Sequence, residues 1–403
     1  MLKPKQGRMK PWFYIMMTVL CYCVYGLLQY KISPVLVYLM ENMGINEAQA
    51  GYLTSAIDIL QIFTVIPFGI LMKKIGPRKM GFIAFGLEFL GSFLGTFFTN
   101  NYTMMMISQL IVGLGGSAVA VIGPYIIILL FKPELRGAAN GWYVIAGTSC
   151  QFIMYNVVPR IVTPTNLTPA WWLTNIFCIF MLIMWYFFIT NEVCPPSSEA
   201  FSLDENGNPI EKETVGKTLA TLKDPKVLQY FIGSAGFMCT GIAGLAFTPL
   251  YMTQVRGMDP VLAGAVSSTV SIVGVVAAVL FGTLADKLTV KKVYFWINTW
   301  IIISRILLPI VPTGWMLVAV CASQGVACAI MGLLFASAAT VIPKEKFAMA
   351  SSAITTGCRV GSFFAASLMG VAVMKIGWTW AWIASAVVGV LAYVGACTIK
   401  DAK

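Results

Sequence analysis

Histidine is missing from all 403 residues, and with it goes the commonest general base, proton relay and metal ligand. Proton chemistry therefore falls to carboxylates. An enzyme would need a nucleophile with its base or a metal cluster, and neither is present in the sequence. Charge is scarce as well, at 11% of residues against 58% hydrophobic. That balance excludes a soluble protein of two or three domains and marks an integral membrane protein. The ten cysteines lack metal-ligand spacing. Cys21 and Cys23 are too close for a CxxC pair and most others lie in apolar runs, so they read as small buried hydrophobes, and no cofactor is implied. The net charge of +11 sits in short clusters between apolar runs and not along one helical face, which excludes a nucleic-acid partner and points to topology signals.

What is present in quantity is long apolar sequence. About 20 such residues cross a bilayer as a helix, and the chain divides into twelve spans: 12–40, 48–72, 78–98, 103–131, 136–160 and 170–190, then 226–252, 260–285, 292–312, 314–341, 347–374 and 377–399. The basic start, Lys3 to Lys10, resembles a secretory signal, but no small-residue cleavage site follows and the apolar run continues past Tyr25, so it reads as a first span. Of the 27 Lys and Arg, 21 fall on the face that holds both termini and 3 on the opposite face, Arg160, Arg256 and Lys375. By the positive-inside rule both termini are cytoplasmic and the span number is even. The polar stretch 191–225, with its prolines and its Asn-Gly turn, is a cytoplasmic linker between a bundle at 1–190 and a bundle at 226–403.

The two halves repeat. At an offset of 213, Ala50 and Gly51 match Ala263 and Gly264, Ser55 matches Ser268, and Leu71, Lys74 and Lys79 match Leu284, Lys287 and Lys292. At an offset of 210, Pro133 matches Pro343 and Gly147 matches Gly357. The expected fold is therefore all-α: twelve transmembrane helices in two six-helix bundles related by a parallel repeat. A short basic turn is used twice, GILMKKIGPRK from Gly69 and GTLADKLTVKK from Gly282.

These turns resemble the cytoplasmic signature of the major facilitator superfamily. The second keeps Gly282, Leu284, Ala285, Asp286 and Lys287 but has Thr289 where glycine is usual; the first keeps Gly69, Leu71, Lys74, Gly76, Arg78 and Lys79 but has Lys73 in the acidic position. PELRGAANG, from Pro133, is similar to the family's turn into span 5. The Arg that many members carry in span 4 is Gln109 here, and the glycine-proline antiporter motif is missing around Gly147. The resemblance implies a transporter working by alternating access. It also implies that the motif's acidic residue faces a helix N-terminus in the other bundle. That gives a cytoplasmic latch between Asp286 and Arg136, and a charge-swapped one between Lys73 and Glu345.

Five ionisable groups fall well inside spans: Lys31, Asp58, Glu88, Arg305 and Arg359. Each is costly in hydrocarbon, so each needs a partner or a watery cavity. At about 1.5 Å per residue Lys31 and Asp58 are level, so an ion pair between them is geometrically possible, either structural or with Asp58 as a protonatable switch and Lys31 as a substrate anchor. Arg359 sits near mid-membrane in a small-residue helix. The resemblance implies that it faces a central cavity, where a guanidinium binds a carboxylate-type oxyanion bidentately. The alternative is a structural Arg, bonded to backbone carbonyls or to Asp58. Arg305 and Glu88 lie on spans that are peripheral in the family. Tyr25 and Gln29 on span 1, Gln151 and Asn156 on span 5, Tyr251 on span 7 and Gln324 on span 10 are uncharged candidates for substrate contact, or else bonds between helices.

The composite reading is a monomeric secondary transporter of a small organic anion, a symporter or antiporter in the cell membrane. Its charge pattern is loosely similar to that of oxalate/formate-type exchangers. Coupling is to a proton through Asp58 or Glu88, or to a counter-anion. The rival readings are an exporter of a neutral or lipophilic compound, and a non-transporting membrane sensor on the same fold.

Overall fold

The computed structural model describes residues 11–130, 133–194, 224–342 and 344–396. Helices carry nearly all of it: α1 (Pro11–Tyr30), α2 (Leu36–Met43), α3 (Glu47–Phe97), α4 (Tyr102–Leu130), α5 (Pro133–Ile161) and α6 (Thr168–Phe188), then α7 (Pro225–Gln254), α8 (Pro260–Lys287) and α9 (Val290–Ile310), followed by α10 (Trp315–Ser323), α11 (Cys328–Val341), α12 (Lys344–Gly389) and α13 (Ala392–Ala396). Among the described residues, ten helical stretches are long and apolar enough to cross a membrane. Their outward faces are apolar, as at Ile176, Phe187, Val279 and Trp296, the kind of surface that helices crossing a membrane present. The chain is a multi-pass membrane protein.

Sequence chemistry sets the ends of these helices. Asn46 opens α3 with a capping box: its side chain accepts from the Gln49 N–H while the Gln49 side chain accepts from the Asn46 N–H, satisfying two donors that a helix start leaves over. Asp259 accepts from the N–H groups of Val261 and Leu262 at the start of α8, with Pro260 at the first helical position where its missing N–H costs nothing. The sequence predicts one continuous first span over 12–40, but the helix stops at Tyr30 and resumes through a 3-10 turn at Ser33–Val35. Pro34 is the physical reason: it has no N–H to return to the Tyr30 carbonyl.

The two basic turns, alike in sequence, are built differently. At Gly76 the backbone leaves helical geometry with φ 78°, a positive value open to glycine, so α3 is two helical stretches that meet at a kink there. Position 289, which is 213 residues on, holds threonine; its backbone is extended, and its hydroxyl caps α9 by accepting from the Lys292 N–H. A second kink of the first kind lies at Gly377, φ 78°, inside α12.

Among the described residues, one apolar core lies wholly within 14–194 and another wholly within 227–392. A third draws on both halves and includes Leu36, Leu53, Val158, Leu250, Val266 and Met369. It lies at the end of the molecule opposite Pro11, here called the far end. There the helices of the two halves touch backbone to backbone. A Cβ on Gly51 of α3 would stand 2.4 Å from the Ala366 carbonyl of α12, and one on Gly264 of α8 would stand 2.1 Å from the Tyr155 carbonyl of α5. Hydrogen bonds follow the same two seams, Ser55 to Ser367 at 2.6 Å and Asn156 to Ser268 at 2.9 Å. The far end is closed.

Candidate functional site

Below the far-end seam the first half of α12 carries Arg359 toward α1 and α3. Small residues around it, Gly357, Cys358 and Gly361, let this helix run close to its neighbours; a Cβ at Gly361 would meet the Ala235 carbonyl at 2.2 Å. The long guanidinium side chain bridges what remains. Its Nη1 lies 3.5 Å from Asp58 Oδ1 and donates to the Tyr25 hydroxyl at 3.3 Å, and the guanidinium carbon stands 5.7 Å from the centre of the Tyr25 ring. Gln61 Nε2 donates to the same hydroxyl at 2.8 Å. Three helices and both halves thus meet at one cation.

The ion pair is loose. At 3.5 Å it is attraction without a good hydrogen bond, and among the described residues neither Asp58 Oδ1 nor Arg359 Nε has a hydrogen-bond partner. Asp58 is buried while Arg359 keeps 13% of its side chain exposed. A cavity of about 30 Å³ opens beside Asp58, with Gln29, Gln109, Thr54 and Tyr155 in its wall. That is room for a water, not a substrate, in a state closed above. A wider crevice of about 320 Å³ runs between α5 and α8 and includes Ser149 and Ser271. Those two serines occupy the positions 210 residues before Arg359 and 213 after Asp58. One seam between the halves therefore carries an ion pair, and the other carries neutral groups in the same places.

The structure redistributes several sequence candidates. Lys31 does not pair with Asp58. The break after Tyr30 turns its side chain into the interior of the first half, where Nζ donates to Ser92 at 2.9 Å and to Thr174 at 3.4 Å, and lies 5.0 Å from the centre of the Trp171 ring. It is fully buried, and its polar contacts are all within the first half. Glu88 is buried in the same half, and among the described residues it forms no ion pair and neither oxygen has a hydrogen-bond partner. Tyr251 belongs to the far end, packed on Trp378 and Trp382 with the Arg256 guanidinium over its ring.

Gln151 and Asn156 are bonds between helices: Gln151 accepts from Ser271 at 3.0 Å, and Asn156 donates to Ser268. Gln324, itself buried, starts a 3-10 turn, its Nε2 without a partner among the described residues. Gln29 does line the cavity beside Asp58, and Tyr25 does meet Arg359. Of the latch residues, Gly69 and Gly282 lie within α3 and α8, whereas the side chains of Lys73, Arg136, Asp286 and Glu345 lie outside the described residues. Gln61 was missed by sequence reasoning. Its signal was its place three residues after Asp58, on the same face of a helix.

Comparison with known proteins agrees with this architecture. The chain is 26% identical over 344 residues to a probable nitrate transporter, NarT, of Staphylococcus haemolyticus, covering 83% of this chain and 82% of that protein. Among solved structures, a mutant form of the nucleoside transporter NupG superposes with a TM-score of 0.76 at 14% identity, over 97% of this chain and 100% of that one. A bacterial homologue of the human lysosomal transporter Spinster, inward-facing and unoccupied, gives 0.76 at 14% identity, over 96% of this chain and 97% of that one. The sequence profile of the Major Facilitator Superfamily matches residues 18–288 and again 230–402. The paired basic turns, the stacked apolar helices and this match agree: the chain belongs to the Major Facilitator Superfamily and is a membrane transporter, not an enzyme.

Proposed function

We propose that this transporter moves a small oxyanion of the planar, carboxylate type by alternating access. The observation that carries the reading is the Arg359 guanidinium, brought from one half of the molecule to Asp58 and Tyr25 of the other. A planar fork binds a planar carboxylate through two parallel bonds, and nitrate offers the same trigonal geometry, which is how the likeness to a probable nitrate transporter enters.

Asp58 is the competitor for that fork. While ionised it holds the guanidinium and ties α3 to α12. When it takes a proton the cation is released, and a substrate anion takes the carboxylate's place with the Tyr25 hydroxyl as a further donor. Proton and anion then travel together, which makes the protein a symporter; with a counter-anion in place of the proton the same competition gives exchange. Removing one member of such a pair leaves an uncompensated buried charge, at about 3–5 kcal/mol, so neither state is left bare in the cycle.

This reading takes twelve spans in two six-helix bundles. It adds α5 to the ten stretches above and divides the one over Ala353–Val394 at Gly377. The bundles are 1–190 and 226–403, joined by the linker 191–225, with both termini cytoplasmic and the protein working as a monomer in the cell membrane. Asp286 with Arg136, and Lys73 with Glu345, latch the cytoplasmic side when the far end opens.

Uptake of radiolabelled formate, oxalate and nitrate into proteoliposomes tests the substrate class. Uptake of one of them should be driven by an imposed proton gradient and lost in Arg359→Ala. It should fall less in Asp58→Asn, which keeps exchange and loses the gradient drive. Full activity in Arg359→Ala, or transport confined to neutral or lipophilic solutes, would refute the anion reading.

A further inference from the structure

Two buried cations take no part in the site described above, Lys31 and Arg305, and their surroundings correspond. Lys31 lies on the ring of Trp171 and donates to Ser92. Arg305 lies over the ring of Trp382, its guanidinium carbon 5.3 Å from the centre, and donates to the Gly241 carbonyl at 3.2 Å. Both tryptophans are fully buried, and among the described residues neither indole N–H has a hydrogen-bond partner. In the sequence Trp171 and Trp382 are 211 apart.

The cations themselves do not correspond, and this is informative. Residue 31 matches position 244, a glycine, and Arg305 matches position 92, a serine, each at an offset of 213. Lys31 touches Ser92; Arg305 fills the space over Gly244 so closely that a Cβ there would lie 1.6 Å from Nη1. One half delivers the cation from the segment just after α1 toward the helix that bears Ser92. The other delivers it from α9 toward α7. In each half the charge ends against a buried tryptophan, and the element that carries it has changed.

The cavity beside Asp58 gives this place a role. Its wall includes Gln29, Ile32 and Ser33 around Lys31, and Ile242, Leu245 and Ala246 around Gly244. Those two triplets are also 213 apart. Residues 31 and 244 are therefore the backs of two facing wall segments, each pressed from behind by a cation on a tryptophan. The segment at 31 is not a regular helix, since α1 ends at Tyr30, so its position depends on such an anchor.

We propose that Lys31 and Arg305 are positioning residues that set the two cavity walls, and that the fold requires the cation at that place irrespective of which helix supplies it. Neither contacts the transported solute. The proposal goes beyond the anion reading and survives its failure, because wall position has a readout that needs no substrate.

The test is relocation of the charge. Arg305→Ser is compared with Gly244→Lys combined with Arg305→Ser, which rebuilds in the second half the arrangement of the first. Lys31→Gly is compared with Lys31→Gly combined with Ser92→Arg. Each is made with Gln29→Cys or Ile242→Cys, and labelling by a membrane-impermeant maleimide is followed beside the KM and Vmax for radiolabelled formate in proteoliposomes. The single variants should change the labelling rate and raise KM about tenfold, and the relocated variants should return both to within about twofold of the parent. Relocated variants no better than the singles, through misfolding or otherwise, would overturn the proposal. So would single variants that lose Vmax with KM and labelling unchanged, the mark of a merely stabilising role. If the parent takes up no formate the anion reading suffers, and the labelling decides the walls by itself.

Discussion

Placing one methyl group at the far-end seam should push the transporter into its other state. In Gly51→Ala the new Cβ would stand 2.4 Å from the Ala366 carbonyl oxygen where ordinary contact begins at 3.4 Å, so α3 and α12 must part by about 1 Å. Both colliding groups belong to backbone and cannot rotate away. The helix propensity gained from alanine acts on both states alike and leaves their balance alone. Overpacking of this kind costs about 1–3 kcal/mol, and it falls on the far-closed state alone. The equilibrium then moves toward far-open by about 5- to 150-fold. Gly264→Ala meets the Tyr155 carbonyl at 2.1 Å on the separate α5–α8 seam, so the two changes should add. Gly86→Ala is the control, since its Cβ enters open space on the same helix as Gly51. The assay is maleimide labelling of Gln29→Cys from the far side. It should speed up with Gly51→Ala, further with the double change, and not at all with Gly86→Ala. Labelling of Gly51→Ala at the parent rate would refute the claim that backbone contact at this seam closes the far end.

Three further outcomes follow from the same geometry. Tyr25→Phe keeps the ring beside the Arg359 guanidinium but removes the hydroxyl that accepts from it, a charge-assisted bond; anion KM should rise about tenfold with folded yield unchanged, read from proteoliposome uptake. Asn46→Ala deletes one half of the capping box at the start of α3 and should cost about 1 kcal/mol, visible as a lower midpoint of thermal unfolding in detergent without a change in KM. For the proposed latch, Asp286→Arg should depress uptake and the reciprocal Arg136→Asp should restore part of it; equal depression by both, with no recovery in the pair, would remove the latch.

The sequence alone carried the membrane class and the family. Both rest on quantities that survive any folding: the length of apolar runs, the side on which Lys and Arg collect, and a motif used twice. It also carried the far-end contacts in disguise. The offset of 213 that aligned Gly51 with Gly264 and Ser55 with Ser268 marks positions where the two halves meet, because both seams demand a missing side chain and a small hydroxyl. The partners of the buried charges were legible only in part, Asp58 being one of several offered for Arg359. Depth along a helix made Lys31 and Asp58 look like a pair, but depth says nothing of azimuth, and a break caused by Pro34 beyond Tyr30 turned the lysine the other way. For Arg359 the sequence offered a central cavity, backbone carbonyls or Asp58; the tertiary structure chose Asp58 and added Tyr25 and Gln61 around it. Composition and periodicity determine which residues enter the membrane. Which of them face one another is decided by how helices distant in sequence rotate and pack, and that information resides in contacts between the halves.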